Sequence, residues 1–332
     1  GTRAEARTLD SAVYAPEGVR HRGTRVLQLP PAERARVKLA YTGAEIRRNP
    51  DLETVLSNGA GAASRVRLAW GAVRSQYDAL FAANTNPNVP TDRLVLWTRC
   101  RCWLQHEGYS RELNVDCIEA FRADPAGRFA NWTFRVPCGM GHAVRFDFTL
   151  ALAAGANAAR LSVRRLDDPA TGAVEGTVRL VFRPDLEWRS FHGTTKAQGA
   201  VEAAFGRVGA ARFTAAGFAF APYSDDERLE VTVAGGACHD APEWTYCVGH
   251  PEEAARGQDG SGDLFSPGWI ACDLAPDGAA SITAEYVKGA AAPAARRFAS
   301  VDAAKLPAAA DLPTALKEAL KLFIVQRDDV KT

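Results

Sequence analysis

The chain has 332 residues, 47% hydrophobic and 24% charged, a makeup that supports a sizeable buried core and excludes a disordered polymer. Lys and Arg number 40 against 39 Asp and Glu, so no net field exists to hold nucleic acid through its phosphates, and a neutral polymer is the better-matched partner. No apolar run reaches the roughly 18 residues that cross a bilayer, and Gly1-Thr2-Arg3 opens no signal-peptide core, so the expectation is a cytoplasmic protein with no membrane partner.

Residues 1–40 are polar, contain Pro30-Pro31, and read as an N-terminal extension or connector. Between Ala63 and Asn84, Val66, Trp70, Val73, Tyr77 and Leu80 recur every three or four positions, which predicts an amphipathic helix ended before Pro87 and Pro90. From Leu94 the period becomes two. Val95, Trp97, Arg99, Arg101 and Trp103 are expected on one face of a strand, and Leu94, Leu96, Thr98, Cys100, Cys102 and Leu104 on a narrow inner face. Alternating runs return over 143–152, 159–166, 176–182, 212–220, 229–233 and 280–286, punctuated by Gly, Asp, Asn and Pro. So many short strands with so few helices between them predict a mainly β fold. The expected architecture is a large antiparallel β-sandwich of the supersandwich type, with a helix in its N-terminal half and a linker helix at its C-terminal end. Gly289 to Ala310, rich in Ala and Pro, reads as a linker. The final helix opens at Asp311-Leu312-Pro313 and carries Leu316, Leu320 and Phe323 on one stripe that needs a partner. The sandwich is expected over 41–290 and the linker and helix over 291–332.

Few constellations suit chemistry. The seven cysteines are scattered, and although Cys238, His239, Cys247, His250 and Cys272 fall in one stretch, none has CxxC spacing, so no metal site is expected. No Gly-x-Ser-x-Gly elbow is present, and Gly59-Ala60-Gly61 lacks the Lys-Ser/Thr ending of a phosphate loop, so no cofactor is expected either. The carboxylates Asp185 with Glu187 and Asp225 with Asp226 read as solvated loops. The aromatics are more informative, because sugars offer apolar CH faces to rings and hydroxyls to polar neighbours. Trp97, Trp103, Tyr109, Trp132, Trp188, Phe191, Trp244, Tyr246 and Trp269 fall on or beside strand ends. Trp188-Arg189-Ser190-Phe191-His192 is singled out as a loop that joins two rings to Arg, Ser and His donors.

Several segments together resemble glycogen debranching enzymes of the amylo-1,6-glucosidase family. They are Gly43-Ala44-Glu45-Ile46-Arg47-Arg48-Asn49-Pro50-Asp51, Ser57-Asn58-Gly59-Ala60-Gly61, Ser75-Gln76-Tyr77-Asp78-Ala79-Leu80, Thr98-Arg99-Cys100-Arg101-Cys102-Trp103, Arg111-Glu112-Leu113-Asn114-Val115-Asp116, Val136-Pro137-Cys138-Gly139 and the run from Phe182 to His192. Phe323 to Thr332 is similar to the family's junction into its α/α-barrel.

The resemblance implies the β-sandwich domain that precedes a catalytic barrel, with the barrel removing the glucose at an α-1,6 branch and supplying the acid and base. No catalytic residue is then expected in this chain. The implied partners are its own C-terminal catalytic domain and glycogen or another branched α-glucan. Asp185, Trp188, Arg189, Ser190, Phe191 and His192 are the candidates for substrate binding or the domain junction, and Leu316, Leu320 and Phe323 for packing on the barrel. The alternatives are a glycan-binding module that tethers the enzyme to glycogen and a purely structural interaction domain.

Overall fold

A computed structural model describes residues 36–86, 88–89, 91–166, 174–290, 296–299, 305–321, 326–327 and 330–331. The expected N-terminal connector therefore lies almost wholly outside the described residues, as do Pro87, Pro90 and Phe323. Strands β1 (Arg36–Lys38) and β2 (Ala40–Thr42) lead into helix α1 (Gly43–Arg48). Thr42 and Glu45 form a capping box that fixes where α1 starts: Thr42 Oγ1 accepts from the Glu45 amide and the Glu45 carboxylate accepts from the Thr42 amide. Then come β3 (Glu53–Ser57), β4 (Ala63–Arg67), β5 (Ala79–Asn84), β6 (Arg93–His106), β7 (Tyr109–Glu112), β8 (Ile118–Ala123), β9 (Phe129–Gly139), β10 (His142–Leu152), β11 (Ala158–Leu166) and β12 (Val178–Ser190). Helix α2 (Gly199–Phe205) precedes β13 (Ala211–Thr214), β14 (Gly217–Phe220), β15 (Glu227–Ala234) and β16 (Ala237–Gly249). The short helix α3 (Pro251–Ala254), β17 (Ser261–Leu274), β18 (Ala279–Lys288), β19 (Ala309–Asp311) and helix α4 (Leu312–Lys321) follow.

Two antiparallel sheets result. A nine-stranded sheet runs β13-β14-β15-β18-β11-β10-β9-β8-β2, and an eight-stranded sheet runs β16-β17-β12-β6-β5-β4-β3 with β7 paired to β6. The mainly β sandwich is what the alternation demanded. Trp132, Phe134, Phe146, Phe148 and Leu150 of one sheet face Leu104, Leu180 and Phe182 of the other in one continuous core. Trp70 meets Trp132 and Phe148 edge to face at 5.3 and 5.4 Å, and Trp132 Nε1 donates to the Leu68 carbonyl at 3.0 Å, so the ring's one polar atom is satisfied inside the core. Each such buried ring contributes roughly 2–3 kcal/mol by burial alone.

The helix expected over 63–84 is not there: the segment holds β4, a turn and β5. Val66, Trp70 and Leu80 are buried as the stripe required, but Gly71 sits at φ +77°, a left-handed conformation that a helix interior does not hold. Arg65 and Arg67 alternate with core-facing Ser64 and Val66, and this period-two signal was masked by the period-3.6 one. Trp97 also departs from its expected outward face. It is buried in the core with Nε1 donating to Arg99 O, where the β6–β12 pairing shifts register around Leu186. Cys100, Cys102 and Leu104 face inward as expected.

At the C-terminal end, β19 pairs with β1, and Asp311 caps α4 by accepting from the Thr314 amide at 3.0 Å. The described parts of the expected linker lie on the sandwich: Arg297 O accepts from Ala154 N, and Arg160 lies 4.0 Å over the Phe298 ring. Of the junction segment 323–332, only 326–327 and 330–331 are described, paired as β20 (Gln326–Arg327) and β21 (Val330–Lys331). No helix among the described residues is long and apolar enough to cross a membrane.

Candidate functional site

On the face of the eight-stranded sheet turned away from the core, successive strands present charged side chains, and these are paired rather than solvated. Arg67 of β4 is buried and donates Nε and Nη2 to the two Asp78 oxygens at 2.8 and 3.0 Å, while Nη2 also meets Glu252 of α3. Burial by itself would push the Glu252 carboxyl up, but hydrogen bonds from Arg65 and Arg67 outweigh it and hold the group below the usual range. Asp78 in turn accepts from the Arg74 and Ser75 amides, so the loop between β4 and β5 is folded down onto the sheet.

Asp185 and Glu187, read from the sequence as solvated loop carboxylates, are buried side chains of β12. Asp185 is 0% exposed; it accepts from Arg99 Nε, and from Arg101 Nε and Nη2 at 2.9 and 2.7 Å. Glu187 accepts from Arg189 Nε at 2.6 Å and Thr98 Oγ1 at 2.6 Å. Removing one partner of such a buried pair strands a charge, at about 3–5 kcal/mol. Burial lowers the pKa of Arg101, but the bonds to Asp185 and Glu243 more than offset it and hold the guanidinium above its ordinary value.

The singled-out segment Trp188 to His192 is thus mostly strand: β12 runs through Ser190, and only Phe191 and His192 lie in the turn beyond. Alternation then separates its members. Trp188 points into the sandwich beside Phe220 and Tyr286, each at 6.3 Å. Arg189 faces out but is buried, with Nη2 on the Gln76 carbonyl at 2.5 Å. Ser190 and His192 are exposed and Phe191 is half-buried. Tyr77, which the sequence placed on the helical stripe, completes this rim. Its ring lies 5.0 Å from Phe191, its hydroxyl is 3.3 Å from His192 Nδ1, and Arg93 lies 5.5 Å over Phe191. The six β12-end candidates therefore divide into sheet-bracing Asp185 and Arg189, Trp188 packed half-buried against the core, and a surface rim of Ser190, Phe191 and His192. The signal that could have found Glu187 is its spacing of two from Arg189 on a strand.

Every buried carboxylate among the described residues is engaged. Beyond Asp78, Asp185 and Glu187, Glu253 accepts from Ser75 Oγ, Asp263 from the Ala197 and Cys247 amides, Asp124 from Arg128, and Glu285 from Arg296. Glycoside hydrolysis needs two carboxyl groups about 5–10 Å apart and free to trade protons; these act as structural acceptors. Of the scattered cysteines in the 238–272 stretch, Cys247 is exposed and Cys272 buried, with burial pushing the Cys272 thiol up to about 12. No group of three or more potential metal ligands converges among the described residues.

On α4, Leu316 and Leu320 lie one turn apart at 53% and 63% exposure while Ala315 faces the body. Of the surveyed aromatics, Trp97 and Trp132 are core, Trp188 and Trp244 pack against it, and Trp103, Trp269, Tyr109 and Tyr246 remain at least partly accessible.

The sequence model of the family described as glycogen debranching enzyme N terminal matches residues 53–281. No curated protein matches the chain. Among solved structures, the chain is similar to a bacterial glucoamylase complexed with acarbose, at 8% identity over 77% of this chain and 36% of that one, with a TM-score of 0.28. It is also similar to the Slr1438 protein of Synechocystis sp. PCC 6803, at 10% identity over 80% of this chain and 100% of that one, with a TM-score of 0.27. The chain thus spans little more than a third of the glucoamylase chain.

Proposed function

Since the chain belongs to the glycogen debranching enzyme N-terminal family, we propose that it is the non-catalytic β-sandwich that supports and walls the active site of an α-1,6-glucosidase domain in the same enzyme. The observation that supports this reading is that every buried carboxylate among the described residues is engaged in ion pairs or hydrogen bonds, which suits struts of a support and not a proton-trading pair. In this reading the catalytic domain brings both carboxylates. The sandwich brings a braced sheet whose rim presents Ser190, Phe191 and His192, with Tyr77 beside them, to sugar hydroxyls or barrel loops. Arg189 and Asp185 act indirectly, by holding that rim and the sheet beneath it.

Leu316 and Leu320 support the same reading, because two leucines one turn apart on an amphipathic helix lose solvent contact only against another surface. The test is turnover on a branched α-glucan by enzyme carrying the catalytic domain. Leu316→Asp combined with Leu320→Asp is expected to lower turnover at least tenfold while the isolated sandwich keeps its circular dichroism spectrum. Undiminished turnover contradicts the packing role.

A further inference from the structure

A second surface lies further along the same sheet face. β17, β12 and β6 are neighbours there, and Val181 pairs with Trp103 on one side and Ala271 on the other, while Arg183 pairs with Arg101. Trp269 stands two residues from Ala271 on the same face. Side chains of these rows line a groove of about 380 Å³, with Trp103, Trp269, Val181, Arg101, Arg183 and Glu243 around it. The outer strands are about 10 Å apart, two strand spacings, so the two indoles flank a central row of Arg179, Val181 and Arg183, with Trp103 level with Val181. Both rings are held: Trp269 stacks on His239 at 3.8 Å and 14°, and Arg101 lies 5.8 Å over Trp103.

Each guanidinium of the groove already holds a carboxylate. Arg101 is paired to Asp185 at 2.7 Å and Glu243 at 2.6 Å, Arg183 to Glu243 at 2.8 Å, and Arg179 to Asp273 at 2.7 Å. A polyanion would have to compete with those carboxylates, whereas a neutral polyol needs what is present: flat rings for its CH faces, fixed N–H donors and a carboxylate acceptor. The volume lies in the range of small-ligand sites.

We propose that this groove binds a stretch of α-glucan chain away from the reacting branch, so that the domain grips the polymer its catalytic partner trims. The proposal rests on the family reading above for the identity of the polymer. It is tested by electrophoresis of the 332-residue chain through gels containing glycogen, with maltoheptaose as competitor. Glycogen is expected to retard the chain, Trp103→Ala and Trp269→Ala each to weaken retardation at least fivefold, and Trp103→Phe and Trp269→Phe to restore most of it. Unretarded migration of the parent chain, or alanine variants retarded as strongly as the parent, overturns the proposal. A short branched oligosaccharide too small to reach the groove separates the two readings. Enzyme carrying the catalytic domain and both Trp→Ala changes should cleave it at the unmodified rate; if the unmodified enzyme fails to cleave it, the domain assignment falls and not the groove.

Discussion

Asp185 shows how one side chain can be unreadable in sequence and decisive in structure. Between Pro184 and Leu186 it resembles a turn residue, yet it anchors two arginines of the neighbouring strand from a fully buried position. Asp185→Ala is therefore expected to cost about 3–5 kcal/mol in a urea unfolding experiment, because Arg99 and Arg101 lose the partner for which they were desolvated; a cost under 1 kcal/mol would show that water replaces it. His250 gives a pH signature. Burial lowers its pKa below the ordinary 6.5, partly countered by Glu187. The unfolded chain then binds a proton more readily than the folded one, so stability is complete above pH 6.5 and declines as the pH falls through that value. Asp273, held low by its bond to Arg179, adds its loss only at more acidic pH, below the ordinary 3.8. Urea midpoints between pH 7 and 5 should drop for the parent and stay nearly level for His250→Phe; equal drops would remove His250 as the source.

At the scale of elements, strand parity governs the site. Trp188 and Arg189 are neighbours in sequence and lie on opposite faces of β12, so a motif read as one cluster becomes a ring packed on the core, a buried ion pair and a surface rim. β6, β10, β11, β12, β13, β14, β15 and β18 were legible because apolar alternation survives in sequence, whereas β9, β16 and β17 fall outside the alternating runs. The 63–84 segment was not, because its helical spacing and its strand alternation coexist, and only the turn at Gly71 and the outward Arg65 and Arg67 decide between them. Side-chain pairing across strands was also hidden, since it depends on register. β16 and β17 pack so closely that a Cβ on Gly268 would stand 2.0 Å from His239 O. Gly268→Ala must push these strands apart, and a loss of about 1–3 kcal/mol is expected by thermal denaturation. An unchanged melting temperature would show that the edge yields freely.

At the scale of the molecule, the two sheets enclose an aromatic core and leave one outer face armoured with ion pairs. That division of labour makes a braced body with rings at its surface, in which every buried carboxylate among the described residues has a partner. Composition and alternation already pointed to the sandwich, whereas the pairing of each buried carboxylate depends on strand register and is invisible in the sequence. The most direct measurement is glucose release from a branched limit dextrin by the purified 332-residue chain, beside enzyme that carries the catalytic domain. The account predicts release from the latter and none above background from the former, whereas glucose liberated by the sandwich alone would contradict it.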